Sequence, residues 1–259
     1  MLTDMGVLND PFAHTMLSPS IAALYRLVRR WPHRVPTLPV TLAGLAARVL
    51  WHDAQVAKAI QQGVQQIVVV GAGYDSRAWR FRSDGVQFFE LDHPATQIHK
   101  ARVAPQPGPI YVQADLSVES AGDALRQAGL DQERRALFVL EGVTMYLGEQ
   151  TVRDQLTDLS SASAPGTRLT TDFYPPEGIG SADDQRQRRV QGLARSGSGE
   201  SLRLLVTRPD AVTLVGACGW DVVDAASMRA AAQALVPKNR GLPVNSVSED
   251  KALVSAVRP

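Results

Sequence analysis

The sequence holds one cysteine, Cys218, among 259 residues, and that scarcity removes several chemistries at once. No intrachain disulfide can form, and neither a cysteine-ligated zinc nor an iron–sulfur centre can be assembled. Cys218 lies between Leu-Val-Gly-Ala and Gly-Trp, surroundings that suit a small buried hydrophobe better than a nucleophile. Histidine is sparse too. His14, His33, His52, His93 and His99 form no HxH or HxxxH pair, and without a dense carboxylate cluster beside them no metal site is expected. No uninterrupted apolar run reaches the ~18 residues of a membrane span, and the stretch MLTDMGVLNDPFAH lacks a basic start followed by an apolar core. A cytoplasmic protein without membrane contact is expected. The net charge is +1, from 27 basic and 26 acidic residues, which supplies no field to attract nucleic acid. The one basic run, RQRRVQGLAR near Arg186, follows Asp183 and Asp184 and reads as a solvated face.

What is present is an alternation. From Ile67 onward, short apolar runs take turns with helical segments, the pattern of a doubly wound, mostly parallel α/β sheet with helices on both faces. Strands are predicted at 67–70, 86–91, 110–113, 136–140, 168–172, 221–223 and 252–257, with helices at 94–103, 118–128, 149–162 and 209–218. Pro94 and Pro209 suit a first helical turn, where a missing N–H costs nothing. The last strand follows an irregular connection containing Pro and Asn, so it is expected to run antiparallel. Two regions stand outside the alternation. Residues 17–62 are helical in pattern but interrupted by Pro32, Pro36 and Pro39, and 174–208 are rich in Gly, Ser, Arg and Gln. One structural domain is expected, with a helical cap and lead-in over 1–62, a ligand-binding core over 63–173, a lid insert over 174–208 and the rest of the core sheet over 209–259.

The first strand stops at Gly71-Ala72-Gly73, where glycines let a ligand lie against bare backbone at the carboxyl end of the sheet. A dinucleotide fingerprint wants a third glycine three residues on; here that position is Ser76, and Asp75 would repel a diphosphate. No Gly-Lys-Ser/Thr follows to make a phosphate loop. The second strand ends VQFFELDHP, and Asp92 stands nineteen residues beyond Gly73, where an acid can accept hydrogen bonds from a ribose diol. It could equally cap the helix that begins at Pro94. Glu90 shares a strand face with Asp92 by period two. The ligand is then a nucleoside without a diphosphate, and S-adenosyl-L-methionine (SAM) fits. NAD-dependent hydride transfer and a non-catalytic nucleoside-binding role stay open as alternatives.

GAGYDSRAWR, ELDHPATQ and LEGVTMYL, in that order and at these strand ends, resemble the leucine carboxyl methyltransferase family, class I SAM-dependent enzymes that include bacterial O-methyltransferases of polyketide type. The resemblance implies a Rossmann-like fold of seven strands with a helical cap, and a role for each matching residue. Arg48, in LAARVLWHDA, would clamp the methionine carboxylate, for which a guanidinium fork is suited. Gly71, Ala72 and Gly73 would face the amino-acid and ribose portions, Asp92 would hold the ribose hydroxyls, and His93 stands beside it. Asp115 would sit by the adenine with Leu116 as apolar cover, or cap the helix that follows. Glu141 would lie near the methionine amino group, and Tyr146 would approach cofactor or acceptor. Arg77 and Arg80 read as anchors of the glycine turn or partners of Asp75, and Met145 as core.

Methyl transfer from a sulfonium asks mainly for alignment and exclusion of water. A carboxylate acceptor needs no base, whereas a hydroxyl benefits from one. Asp172 and Tyr174, in TTDFYPP, are placed to face an acceptor, with Tyr146 as a third candidate catalytic residue. The resemblance puts the acceptor under a lid built from 17–30 and 174–208, with Gly197 and Gly199 as hinges and Leu24, Leu27, Trp31, Leu202, Leu204 and Leu205 lining it or packing it onto the core. The partner expected is a small molecule, methylated on a carboxylate or hydroxyl, with transfer to nitrogen or carbon as an alternative. A homodimer is an open expectation.

Overall fold

The computed structural model describes residues 1–12, 15–16, 23, 26, 38–180 and 201–259. Helix α1, Leu38–Gln61, opens with Pro39 in its first turn. That proline starts the helix instead of interrupting it, because a first-turn residue has no intrahelical N–H bond to lose. Strand β1, Gln66–Val70, then enters the sheet. A single turn, α2, Arg77–Arg80, leads to β2, Gln87–Asp92. Helix α3 is Pro94–Val103, β3 is Ile110–Gln113, α4 is Ala121–Gln127 and β4 is Ala136–Leu140. A 3-10 turn, Thr144–Tyr146, precedes α5, Glu149–Ser161, and β5, Arg168–Phe173. Helix α6, Arg208–Ala217, strand β6, Asp221–Ser227, helix α7, Met228–Leu235, and strand β7, Ala252–Val257, complete the order.

The seven strands form one sheet in the order β3-β2-β1-β4-β5-β7-β6. The β1–β2, β1–β4, β2–β3 and β4–β5 pairs are parallel, and β7 runs antiparallel to both β5 and β6. Both expectations, the strand count and the reversed last strand, agree with the structure. Alternate strand residues face opposite layers. Val68, Val70, Phe89, Leu91, Phe138 and Leu140 join a core that α4, α5 and α6 cover, while Ile67, Phe88, Leu137 and Val139 pack with Val56 and Ala59 of α1. Burial on both faces explains why β1 and β4 read as continuous apolar runs. Cys218 is buried in the first of these cores, as expected.

Differences from the sequence reading lie at element ends. The helix expected at 118–128 begins at Ala121, because Ser120 accepts the Asp123 N–H and caps it there. Helix α7 lies inside the expected irregular connection, capped by Ser227 through the Ala230 N–H. No helix among the described residues is long and apolar enough to cross a membrane. The expectations placed on Leu24, Leu27, Trp31, Gly197, Gly199, His14, His33 and the basic run near Arg186 lie outside the described residues. Leu204 belongs to the main core, and the adjacent chain is tied down by Arg203 N–H to Met145 O (2.8 Å) and Val206 N–H to Tyr174 O (2.8 Å).

Candidate functional site

Two cavities open at the carboxyl edge of the sheet. The larger, about 620 Å³ and open to solvent, lies over the end of β1 and is lined by Gly71, Ala72, Asp75, Arg77, Arg80 and Glu141, among others. The smaller, a narrow pocket of about 30 Å³, is walled by α1 (Val40, Leu45, Arg48), Tyr174, Met228 and Lys251 among its residues. Arg48 lines one and Glu141 the other, and they bond to each other: Arg48 Nε donates to Glu141 Oε1 at 3.0 Å. This pair is the wall between the cavities.

The wall belongs to a buried charge network. Arg77 Nη2 donates to Glu141 Oε2 at 2.5 Å and its Nε to Asp53 Oδ1 at 2.8 Å, and it also pairs with Asp75. Arg80 grips Asp53 through both Nη atoms, at 2.5 and 3.0 Å, and takes Ser76 Oγ with Nε. Ser76 Oγ in turn donates to Asp10 Oδ2 at 2.7 Å. The expected Arg77–Asp75 pair is therefore one strand of a larger net, and Asp53, on α1, is the member the sequence reading missed. Only the helical spacing that sets Asp53 one turn and a half beyond Arg48 hinted at it. Burial pushes the Glu141 carboxyl up, but Arg77 and Arg48 overcome it and hold it well below the usual carboxylate range. Burial likewise opposes the charge on Arg48, yet Tyr174, Asp172 and Glu141 leave its pKa raised.

Arg48, for which the resemblance implied a carboxylate clamp, lines the smaller cavity with its guanidinium engaged. Its Nε serves Glu141, its Nη1 donates to the Tyr174 hydroxyl at 3.2 Å, and Asp172 Oδ2 lies 3.7 Å away. The arginines that line the larger cleft are Arg77 and Arg80. Gly142 permits the close approach: at φ +69° it has no Cβ, and one would stand 3.1 Å from Arg48 Nη1.

The other expected cofactor residues gather around the glycine turn. Asp92 Oδ2 accepts the Gly73 N–H at 2.6 Å, and Oδ1 accepts the His93 N–H at 2.7 Å. Helix α3 is capped by His93, whose Nδ1 accepts the Ala95 N–H, so the capping reading of Asp92 is corrected in favour of its neighbour. Glu90, on the same face, is fully buried and paired with Lys100 at 2.5 Å, which leaves Asp92 as the acid at the strand tip. Asp115 does not cap α4; its Oδ1 accepts the Ser117 N–H (2.9 Å) and hydroxyl (2.6 Å), which lower its pKa, and Leu116 is buried beside it.

The three candidate catalytic residues separate. Tyr174 lines the smaller pocket. Tyr146 is half-buried in the 3-10 turn and lines neither cavity. Asp172 is a correction: it is wholly buried, lines neither cavity, and gives Oδ1 to the Gly142 N–H at 2.6 Å. Period two puts it on the same strand face as Thr170, whose hydroxyl contacts His52 Nδ1 at 3.1 Å, and so it points at α1 instead of an acceptor. Burial raises its pKa against Arg48 and the Gly142 N–H.

The larger cleft fits SAM on the structure's own terms. Gly73 has φ +46°, and open space surrounds the position its Cβ would take, so a ligand can lie against the backbone. Asp92 stands at the adjacent strand tip for a diol. Asp10, Asp75 and Glu141 on the cleft suit a ligand bearing an ammonium and a sulfonium.

Residues 2–160 match the family model described as leucine carboxyl methyltransferase. A relative from Mycobacterium ulcerans, assigned as an S-adenosyl-L-methionine-dependent methyltransferase, is 33% identical over 190 residues, covering 69% of this chain and 61% of its own length. Another with that assignment, from Mycolicibacterium smegmatis, is 27% identical over 266 residues, covering 96% and 85%. Among solved structures, a Thermobifida fusca protein assigned as a methyltransferase superposes with a TM-score of 0.58 at 15% identity, over 85% of this chain and 81% of that one. A DUF574 family protein from Streptomyces avermitilis gives 0.57 at 15% identity, over 90% and 88%. At such identity the structural likeness is one of fold. Glycine turn, strand-tip acids and family model agree: the chain belongs to the leucine carboxyl methyltransferase family of SAM-dependent methyltransferases.

Proposed function

We propose that this protein moves the methyl group of SAM onto an oxygen, carboxylate or hydroxyl, of a small molecule. The observation that carries the reading is the Arg48–Glu141 wall, which sets a cleft fitted to SAM directly beside a second, partly apolar pocket. Bound SAM supplies an electrophilic methyl group on a sulfonium. Asp92 holds the ribose, and Glu141 stays ionised beside the amino group. Val40, Leu45, Met228 and Val247 keep water from the acceptor. Tyr174, bonded to Arg48, positions the acceptor oxygen and is the one candidate base that reaches it. That the acceptor is a natural product, such as a polyketide, rests on the resemblance to that branch of the family.

Calorimetry tests the reading. SAM and its demethylated product S-adenosylhomocysteine (SAH) bind, and NAD does not; tight NAD binding with none of SAM would overturn it. Arg48→Ala takes one cation from Glu141 in the wall of the cleft and weakens SAM binding by about 1.5–3 kcal/mol, the scale of a lost hydrogen bond to a charged group. Labelled SAM added with the protein to host extract, followed by mass spectrometry, identifies the acceptor.

A further inference from the structure

Ser76 stands where a dinucleotide fingerprint has its third glycine, and the methyl-transfer reading leaves its side chain unused. It directly precedes α2, a place where a serine hydroxyl ordinarily caps the helix, yet it makes no capping bond. Asp75 accepts the Arg77 N–H instead, at 2.6 Å. The Ser76 hydroxyl donates to Asp10 Oδ2 at 2.7 Å and accepts from Arg80 Nε at 2.9 Å. Ser76 is 4% exposed and Asp10 8%, so both ends of this bond lie out of water, where losing a partner is costly.

Asp10 belongs to a segment fastened at two places. At one, Val7 is buried with Met228 and Val247 in the core that α1 and α7 share, and those two residues also wall the smaller pocket. At the other, Asp10 Oδ1 accepts the Phe12 N–H at 3.0 Å, and the Phe12 ring lies 6.2 Å from that of Trp79 in α2. Between the fastenings, Leu8 and Asp10 line the cofactor cleft together with Ser76 and Arg80. One side of the cleft is thus made by chain that lies outside every strand and helix. Its hold on the glycine turn is the Asp10–Ser76 bond, which Arg80 continues to Asp53 of α1.

We propose that Asp10 is a cofactor-positioning residue that acts on the glycine turn through Ser76 and Arg80, and that residues 7–12 form a strap whose docking and SAM binding favour each other; this rests on the assignment of the larger cleft to SAM. A ligand in the cleft packs on Leu8 as well as on Gly71 and Ala72, so it binds the docked strap better than a released one. The effect is reciprocal by linkage: bound cofactor pins the strap, and a pinned strap tightens the cofactor. Release of the strap leaves the Ser76 hydroxyl without its acceptor and opens the cleft to water.

Hydrogen–deuterium exchange of the full chain, without SAH and at saturating SAH, reads the strap directly. In the wild type SAH slows exchange at Val7 and Phe12, whose N–H groups bond to Leu2 O and Asp10 Oδ1, by roughly fivefold or more, the low end of coupling between sites. Calorimetry gives SAH affinity in Asp10→Ala, Ser76→Ala and the double variant. Each single variant binds SAH roughly tenfold or more weakly, the scale of a hydrogen bond to a charged group, and loses the SAH-dependent slowing at Val7. The double variant is no weaker than the worse single one, because both changes break the same bond. Exchange that ignores SAH in the wild type overturns the proposal. So do single variants that lose urea stability but keep wild-type SAH affinity and slowing, and losses that add in the double variant. Where a variant does not fold, the wild-type exchange comparison decides alone. Failure of SAH to bind the wild type overturns the assignment of the cleft to SAM instead.

Discussion

His52 lies one turn beyond Arg48 on α1, sealed between the helix and β5. Burial drives its pKa down to about 3, with Glu141 opposing and Arg77 and Arg48 assisting, so the folded protein keeps it neutral. The unfolded chain protonates it near 6.5. The folded pKa is therefore the lower one, and the stability it confers is complete above 6.5 and lost as pH falls toward 3. Between pH 6.5 and 5 this one group removes about 2 kcal/mol. Urea denaturation at the two pH values, compared with His52→Gln, measures it: the wild type loses that much more than the variant. A second residue-scale prediction concerns Arg77, which answers Asp53, Asp75 and Glu141 together. Arg77→Met leaves buried carboxylates without their cation and costs about 3–5 kcal/mol, read from the same denaturation curves. At this scale the legible residues were those at strand ends next to glycine. Asp92 and Glu141 stand there because the parallel sheet must place its β-to-α turns at one edge. The direction of Asp172 was misread because strand periodicity tells which residues share a face, not which layer covers it.

Among the elements, α1 does two jobs. Ala43, Ala46 and Ala47 bring it close against Ala231 and Ala232 of α7, and the same helix carries Arg48, His52 and Asp53 to the strand ends. Small residues at the contact set how deeply α1 sits. Ala47→Leu overpacks it and costs about 1–3 kcal/mol; lifting α1 also moves Val40, Gly44 and Arg48 on the wall of the smaller pocket. The expected outcome is a lower urea midpoint with weakened SAM binding, because Arg48 pairs with Glu141 of the cleft; unchanged SAM binding in a destabilised variant would separate the two jobs. Strand cores were readable from β-branched and aromatic runs buried on both faces. Helix α7 was not, because eight residues with only Met228, Ala231 and Ala232 buried give too short an apolar period to distinguish from a loop.

For the whole molecule, a ligand that binds only the folded state adds to its stability. SAM at about a hundred times its dissociation constant contributes ~2.7 kcal/mol, which for a chain of this size raises Tm by roughly 5–10 °C. Thermal denaturation with SAM, SAH and NAD in parallel shows the first two shifting the transition and the third leaving it in place. The doubly wound architecture was legible because the strand-helix alternation repeats along most of the chain. The organisation of the acceptor side was not, since it depends on a reversed strand and a helix packed from the other end of the sequence.

Strand β7 lies between β5 and β6 and hydrogen-bonds to both. Strand β6 is made first, yet it has no place to dock until residues 252–257 follow it. On the ribosome, β3 through β5 can assemble while β6 waits unpaired and the outer edge of β5 stays open to other extended chains. The sheet is therefore closed only when residues 252–257 arrive, and a nascent chain halted before Ala252 holds five strands together and one adrift.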